Sequence, residues 1–198
     1  MIEKEIKVLN IDKTTIETLL ISKGCALCKD EIQENITYRG DSLGSIRLRK
    51  TTSSLTGNVS YELTRKTDIE KLDNEECVMQ NEKSIDISEQ EFCTAQKLFN
   101  CIGLIQGIRG KKHRRSFHLN GFLYEIDKWV DEILPITYLE VETQNPNLRI
   151  INGLKQIWSD DEIATLVIST DGIGTLVKIH KNVGIEAYIE SLMVFRRS

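Results

Sequence analysis

Ionisable and apolar side chains alternate along several short segments of this sequence. Residues 2–7 read Ile-Glu-Lys-Glu-Ile-Lys. Because successive side chains of a strand point to opposite faces, Glu3, Glu5 and Lys7 are expected on one face. The same spacing recurs in five later segments: Arg47-Leu48-Arg49, Glu62-Leu63-Thr64-Arg65-Lys66, Lys112-His113-Arg114, Glu125-Ile126-Asp127 and Glu140-Val141-Glu142. The pattern predicts strands that have one charged face and one apolar face.

The other patterns add helices between and after these strands. Asp12 is predicted to cap a helix that ends before Gly24, and a capping box at residues 88–91 opens a second helix that ends at Gly103. Strands are predicted at residues 2–9, 31–38, 45–50, 59–66, 77–85, 106–119, 122–129 and 137–143, with a turn at 40–44, a polar loop at 68–74 and helical patterns at 148–158 and 185–195. This order indicates an α+β fold with a mostly antiparallel sheet.

Composition limits the classes of protein that fit. The chain has 198 residues, of which 40% are hydrophobic and 28% charged, so it can bury a core as one domain or as one domain with an appendage. Its net charge of −4 implies no global field for polyanions. No apolar run is long enough to span a membrane, and the first residues lack the basic and apolar regions of a signal peptide. We therefore expect a cytoplasmic protein whose five cysteines are reduced.

The charged strand faces can meet water on an open sheet or line the inside of a closed barrel. An open sheet predicts charges of both signs interspersed along each strand. Here the charges fall in blocks of one sign, as if one wall were basic and another acidic, which favours the barrel. Such an interior would be wet and would be filled by counter-charges, because a dry one is costly. Basic blocks suit a polyphosphate, and carboxylate blocks suit Mg²⁺ or Mn²⁺.

This ordered series resembles the signature of the CYTH, or triphosphate tunnel metalloenzyme, superfamily, which includes class IV adenylyl cyclases and thiamine triphosphatases. The opening matches its Glu-x-Glu-x-Lys at Glu3, Glu5 and Lys7. The later elements follow in order: Arg47-Leu48-Arg49, Leu63-Thr64-Arg65-Lys66, Lys112-His113-Arg114, Glu125-Ile126-Asp127 and Leu139-Glu140-Val141-Glu142. The resemblance covers residues 2–143 and implies an eight-stranded antiparallel β-barrel, whose tunnel holds a triphosphate and a divalent metal, with flanking helices.

The resemblance also implies roles for individual residues. The metal, Mg²⁺ or Mn²⁺, would be held by carboxylates at Glu3, Glu5, Glu140 and Glu142, helped by Glu125 or Asp127. The phosphate oxygens would be gripped by Lys7, Arg47, Arg49, Lys66, Lys112 and Arg114. The proposed catalytic groups are Glu5, Lys7 and Glu142, of which Glu5 or Glu142 would assist the attacking water. Forked arginine donors, lysine point charges and a bridging metal are what phosphoryl transfer demands.

Two further motifs have weaker interpretations. Cys25 and Cys28 have the spacing of a zinc or redox pair, but no second pair of ligands follows, which favours structural cysteines. The basic stretch at residues 109–115 could contact RNA. In a strand, alternation would put only Arg109, Lys111, His113 and Arg115 on the outer face. We therefore favour a strand whose inner face is part of the tunnel wall and whose outer face is a solvated edge.

Three functions remain open from the sequence. The first is hydrolysis of inorganic triphosphate, thiamine triphosphate or a nucleotide, with a 5′-triphosphorylated RNA end as a less favoured substrate. The second is a class IV adenylyl cyclase, and the third is a module that binds a phosphorylated ligand without catalysis. Residues 1–147 would form the tunnel domain. Residues 148–198 would form a helical extension that packs on the tunnel, covers one mouth or mediates dimerisation.

Overall fold

The computed structural model describes residues 2–40, 44–68 and 77–195. The strands are β1 (Ile2–Leu9), β2 (Ala26–Gly40), β3 (Gly44–Ser53), β4 (Val59–Asp68), β5 (Val78–Ile87), β6 (Ile105–Leu119), β7 (Phe122–Trp129), β8 (Thr137–Thr143) and β9 (Ile168–Ser169). The helices are α1 (Lys13–Ser22), α2 (Glu89–Cys101), α3 (Ile150–Ile157), α4 (Asp160–Thr165), α5 (Ile173–Val183) and α6 (Ile185–Phe195). None of the helices in these ranges combines the length and the apolar character needed to cross a membrane.

The first eight strands close into an antiparallel barrel. They follow the order β5-β4-β3-β2-β6-β7-β8-β1, and β1 pairs back with β5, where Glu3 lies opposite Gln80. One edge of β1 pairs with β8, and the other is shared between β5 at residues 2–5 and β9 at residues 7–8. The short strand β9 therefore completes the edge that β5 leaves unpaired. The predicted α+β barrel is confirmed.

The apolar outer face of the barrel is covered by helices. Helices α1 and α3 pack Leu20 and Leu154, both fully buried, against strand residues such as Ile6 and Val141. Helix α2 packs Phe92 into a second cluster around Leu48. Its predicted capping box is present, since Ser88 accepts from the backbone N–H of Glu91 and the Glu91 side chain accepts from that of Ser88.

Helices α5 and α6 pack against one end of the barrel. Their residues Leu176, Ile185 and Ile189 meet Leu9, Trp129 and Tyr138 from the ends of β1, β7 and β8, together with Leu134 and Ile136 from the connection between β7 and β8. The predicted helix at 185–195 is confirmed. Helices α4 and α5 were not predicted, because residues 160–162 and 171–174 read as breaks in the sequence. Residues 41–43 of the turn predicted at 40–44, and most of the polar loop predicted at 68–74, lie outside the described residues.

Candidate functional site

The interior of the barrel is a charged cavity of about 1940 Å³. Most of its charged wall comes from inward-facing residues of seven strands: Glu3, Glu5, Lys7, Arg47, Arg49, Glu62, Lys66, Glu82, Lys112, Arg114, Glu125, Glu140 and Glu142. Asp127 is fully buried beside them. Strand alternation places them on one side, as the sequence predicts. The barrel therefore brings together all the residues proposed for metal, phosphate and catalysis.

The strand order places β3 and β8 on opposite sides of the ring, four positions apart in either direction. Arg47 and Arg49 on β3 consequently lie across the cavity from Glu140 and Glu142 on β8. A ligand inside the barrel would meet guanidinium groups on one side and carboxylates on the other. Neither side is of one sign throughout, because Glu62 and Glu82 pair with Arg47, and Lys7 and Arg114 pair with Glu140.

Two cations from β6 pair with the buried Asp127. Lys112 Nζ lies 2.6 Å from Asp127 Oδ2, and Arg114 Nε donates to Asp127 Oδ1 at 2.7 Å. Arg114 also donates to Glu140 Oε2 at 2.7 Å and contacts Glu125. Although burial alone would raise it, these cations lower the pKa of Asp127. Asp127 is thus held as an anion by β6.

Of the two cations from β6, Lys112 is the one whose charged form is disfavoured. Burial lowers its pKa to about 7, and the neighbouring charge of Arg114 acts in the same direction against the attraction of Asp127. An additional anion near Lys112 would restore its charge at neutral pH.

The remaining lysines of the wall also pair with carboxylates. Lys7 Nζ lies 2.7 Å from Glu5 Oε1 and 3.0 Å from Glu140 Oε1. Although burial opposes the charged form, both carboxylates raise the pKa of Lys7, so it stays protonated. Lys66 Nζ lies 3.0 Å from Glu3 Oε2 and 2.6 Å from Glu82 Oε2. These pairs join β1 to β8 and to β4, and they join β4 to β5.

Arg49 is different, because it faces the cavity without a carboxylate partner. Its Nε donates to the amide oxygen of Asn35 at 2.9 Å, and no carboxylate in the described part of the chain is within ion-pair distance. Burial and the charges of Arg47 and Arg114 lower its pKa to about 9, against the attraction of Glu62 and Asp127.

Only some of the N–H donors of the Arg47 guanidinium have hydrogen-bond acceptors among the described residues. Its Nη2 donates to Glu62 at 3.2 Å and to Glu82 at 3.4 Å, while its buried Nε has no hydrogen-bond partner among the described residues. An anion between the two arginines would satisfy both.

Carboxylates gather on the acidic side in two overlapping groups. Oxygens of Glu3, Glu5 and Glu142 lie within 4.8 Å of one another, and so do oxygens of Glu125, Glu140 and Glu142. Such all-oxygen sets suit a hard divalent cation. Neither group includes Asp127, whose oxygens are taken by Lys112 and Arg114.

Glu142 belongs to both groups and is the least compensated carboxylate. Burial, together with the nearby charges of Glu3 and Glu140, raises its pKa to about 8. Glu140 behaves in the opposite way. Although burial would raise its pKa, Lys7 and Arg114 hold it well below the ordinary range. A divalent cation beside Glu142 would remove the like-charge repulsion.

The outer face of β6 follows the prediction at three positions of four. His113 and Arg115 pair with Asp30, and Lys111 pairs with Glu34, all outside the cavity. The prediction for Arg109 is wrong, because this residue lines the cavity. The pairing of β2 with β6 shifts register between Ile36 and Tyr38, next to Arg109, and this irregularity breaks the simple alternation.

Several cavity residues were missed by reasoning from the sequence. Asn35 and Thr37 of β2 lie on the inner face, but their side chains are uncharged and so are not part of the charge pattern that marks this face in the other strands. Arg39, Lys178 and Lys181 also line the cavity. The two lysines were missed together with α5, the helix that carries them.

Comparison with solved structures shows a shared fold at low sequence identity. PH1012 of Pyrococcus horikoshii OT3 is 21% identical with a TM-score of 0.65, over 88% of this chain and 98% of that chain. A candidate adenylyl cyclase from Hippeastrum, described as having a dominant triphosphatase activity, is 16% identical with a TM-score of 0.58, over 93% and 99%. A candidate adenylate cyclase from Vibrio parahaemolyticus is 16% identical with a TM-score of 0.57, over 82% and 97%.

No curated protein sequence matches the chain significantly. The family model of the CYTH domain matches residues 1–164, which is most of the chain and includes all eight strands of the barrel. The closed barrel, the opposed charged walls and this match lead to one conclusion: the chain belongs to the CYTH family.

Proposed function

We propose that this protein is a divalent-metal-dependent triphosphatase, which hydrolyses the terminal phosphate of inorganic triphosphate, thiamine triphosphate or a nucleotide inside the barrel. The proposal rests above all on Arg49, a cation on the cavity wall without a carboxylate partner in the described chain, opposite a group of carboxylates. An uncompensated charge is costly in a protein interior. A polyanion would offset that cost, and the acidic side could bind it only through a metal.

The substrate would be held mainly by the arginines of β3. Each guanidinium presents a planar set of donors that matches two oxygens of one phosphate. Arg49, together with the free Nε of Arg47, would take the phosphates directly. Lys66, Lys112 and Arg114 would add positive charge from β4 and β6.

Lys7 would act at the boundary between the two walls. An ammonium group has three N–H donors, and Lys7 uses two of them on Glu5 and Glu140. The third would reach a phosphate oxygen. Its raised pKa rules out a role as a base near neutral pH. We therefore assign it to positioning Glu5 and to neutralising the substrate.

The residues fit a divalent cation by the chemistry of their donors. Glu3, Glu5 and Glu142 would hold one ion, Mg²⁺ or Mn²⁺, and Glu125, Glu140 and Glu142 provide a second set of ligands nearby. When bound, such an ion neutralises charge on phosphate oxygens and acidifies a coordinated water. We leave Asp127 out of this set, because its two oxygens are already paired with Lys112 and Arg114.

We also assign Glu142 as a proton acceptor for the attacking water, because its carboxylate belongs to both groups of acidic side chains on the cavity wall. Glu5 is the second candidate, since Lys7 holds it in the same group.

All five cysteines are free thiols, which suits the cytoplasmic location that we propose.

The experiment is product analysis with inorganic triphosphate, ATP and thiamine triphosphate, each offered separately with Mg²⁺ and with Mn²⁺. We expect phosphate release that EDTA abolishes, in keeping with the triphosphatase activity described for the Hippeastrum protein. Cyclic AMP and pyrophosphate from ATP would identify a cyclase instead. Binding of the triphosphates without any product would identify a binding module.

A further inference from the structure

A second cluster of titratable side chains lies outside the barrel, where helix α1 meets strands β2 and β6. It consists of Lys13 and Glu17 from α1, Asp30 from β2, and His113 and Arg115 from β6. We call it the α1 cluster. None of these five residues lines the cavity, and their side chains are between 17% and 34% exposed. A small molecule in solution can therefore reach the cluster without entering the barrel.

The imidazole of His113 lies between a carboxylate and an amine. Its Nε2 is 2.7 Å from Asp30 Oδ1, and its Nδ1 is 3.2 Å from Lys13 Nζ. Although burial would raise it, His113 and Arg115 lower the pKa of Asp30, so the carboxylate accepts a hydrogen bond and has no proton to donate. Nε2 of His113 therefore carries the hydrogen, and Nδ1 of the neutral ring presents its lone pair to Lys13.

This arrangement is that of a nucleophile, a base and a group that orients the base. Lys13 Nζ is in the place of the nucleophile, His113 Nδ1 in that of the base, and Asp30 in that of the orienting group. The pairing of β2 with β6 puts Asp30 opposite Arg115 and beside His113. Arg115 also contacts Glu17, which holds α1, and with it Lys13, against β6.

The partner of Lys13 differs in kind from the partners of other lysines. Lys66, Lys112 and Lys155 each have a carboxylate oxygen at 2.6, 2.6 and 2.8 Å, respectively. The nearest of the two described partners of Lys13 is the imidazole, since the carboxylate of Glu17 is 3.7 Å away. An imidazole is the side chain best suited to accept a proton near neutral pH. Lys13 is therefore placed to lose a proton to its partner as its amine reacts.

A second lysine indicates which reagent this amine would meet. Lys128 of β7 is directly opposite His113 on β6, so the two side chains share the outer face of the barrel. Lys128 is exposed, and within the described ranges it forms no ion pair with a carboxylate. An ammonium group with free donors beside the pair of Lys13 and His113 suits the phosphate of an acyl phosphate.

We propose that Lys13 is a site of acylation by acyl phosphates, with His113 as general base and Lys128 as the contact for the phosphate of the donor. After its ammonium proton has passed to water, Lys13 Nζ attacks the carbonyl carbon, a C–N bond forms, and the C–O bond to the phosphate breaks. The proton lost by the nitrogen passes to His113 Nδ1 and then to the departing phosphate. The products are an amide at Lys13 and inorganic phosphate.

The test follows acetylation of the full-length protein by acetyl phosphate, with the rate at each lysine measured by peptide mass spectrometry. Lys97 of α2 is the internal reference, because it is exposed while Lys13 is half-buried, so accessibility alone would favour Lys97. We expect Lys13 to react roughly 10- to 100-fold faster, since a positioned general base contributes about 100-fold or more. His113→Gln should bring the rate at Lys13 down to that at Lys97.

Two variants of Asp30 test its role in positioning His113. Asp30→Asn should slow the acetylation of Lys13, because the amide can donate to Nε2 and so favours the wrong tautomer. Asp30→Glu should restore part of the rate, which the loss of a purely structural contact would not do. Thermal unfolding shows which variants are folded, and His113→Asn replaces His113→Gln if the latter is not.

A donor without a phosphate separates the roles of His113 and Lys128. Lys128→Ala should raise the concentration of acetyl phosphate that gives the half-maximal rate by roughly two- to fivefold, as one exposed charge contact allows. The same variant should leave the reaction with the uncharged ester para-nitrophenyl acetate unchanged, whereas His113→Gln should slow both reactions. Lys155→Ala, at an exposed lysine of α3 outside the α1 cluster, is the control and should change neither.

The outcomes decide the inference without reference to the barrel interior. Equal rates at Lys13 and Lys97 in the wild type, or a rate at Lys13 that a folded His113 variant leaves unchanged, would overturn the acylation site. Equal effects of Lys128→Ala with both donors, or no effect with either, would overturn the assignment of acyl phosphates. The proposed triphosphatase stands or fails separately, because the α1 cluster does not line the cavity.

Discussion

Arg47 and Arg114 repel the charge of Arg49, and Glu62 and Asp127 attract it without forming an ion pair with it. Replacing Arg49 with alanine should weaken triphosphate binding roughly 10- to 100-fold, because a charge-assisted hydrogen bond contributes about 1.5–3 kcal/mol. The variant should fold normally, since the substitution also removes the repulsion from Arg47 and Arg114 that lowers the pKa of Arg49. Calorimetric titration and thermal unfolding measure the two effects separately.

Lys50→Ala is the matched control for Arg49. Lys50 follows on the same strand but lies against the ring of Tyr61. Its removal should leave triphosphate affinity unchanged. If Arg49→Ala unfolds the protein, or if both variants bind triphosphate like the wild type, Arg49 is not the phosphate-binding residue.

Glu142 should make metal binding depend on pH. Its pKa of about 8 means that the proton must leave before a cation can bind, so affinity for Mn²⁺ should rise with pH and level off above about 8. Lys112 titrates near pH 7 and would add a smaller effect of the same sign as it loses its charge. Titrations between about pH 6 and 9 measure the profile.

Glu142→Gln isolates the contribution of this carboxyl group. The variant should bind Mn²⁺ more weakly, and its remaining pH dependence should be the part due to Lys112. A profile identical to that of the wild type would show that Glu142 neither binds the metal nor competes for it with a proton.

The sequence predicts which face of a strand a residue occupies, but it does not predict the partners of that residue on other strands. Alternation assigns Glu140 and Glu142 to one face whatever the rest of the chain does. It cannot say that Asp127 is occupied by Lys112 and Arg114, or that Arg49 has only Asn35. Those partners come from other strands, and they are set by register and by the closure of the barrel.

Among the elements, α5 is the helix that adds unpredicted residues, such as Lys178 and Lys181, to the lining of the cavity. Its N-cap is Gly172 and its first residues are Ile173 and Gly174, and two glycines so close together indicate a turn in the sequence alone. The apolar spacing of Ile173, Leu176 and Val177 is helical, but it spans little more than a turn. Tertiary packing against the barrel end therefore decides that this segment is a helix, and packing is not visible in a local pattern.

Leu176 tests whether α5 is part of the folded barrel. Its side chain is fully buried, so Leu176→Ala should lower the free energy of unfolding by about 2–5 kcal/mol. Val183→Ala is the control on the same helix, because Val183 is 65% exposed and should change stability by less than about 0.5 kcal/mol. Urea denaturation measures both. Equal, small effects would mean that α5 contributes little to the fold.

At the scale of the whole molecule, the closed wall of the barrel holds many charges of both signs, most of which are paired. Pairs such as Lys66 with Glu3 and Glu82 join β4 to β1 and β5, the strands whose pairing closes the barrel. Arg49 and Glu142 remain without a compensating charge of this kind. The folded protein should therefore be stabilised by a ligand that supplies both missing charges, a polyphosphate together with a divalent cation.

Thermal unfolding tests this expectation. Ligand at about 100 times its Kd adds about 2.7 kcal/mol to the free energy of unfolding, which for a chain of this length raises Tm by roughly 5–10 °C. Triphosphate with Mg²⁺ should produce the full shift. Each component alone should produce less, because a phosphate chain without the cation faces the carboxylates of β1 and β8. Arg49→Ala should lose most of the shift seen with triphosphate and keep the shift seen with Mg²⁺ alone. If triphosphate and Mg²⁺ gave purely additive shifts in both proteins, the two walls would bind their ligands independently, and the closed barrel would not act as one site.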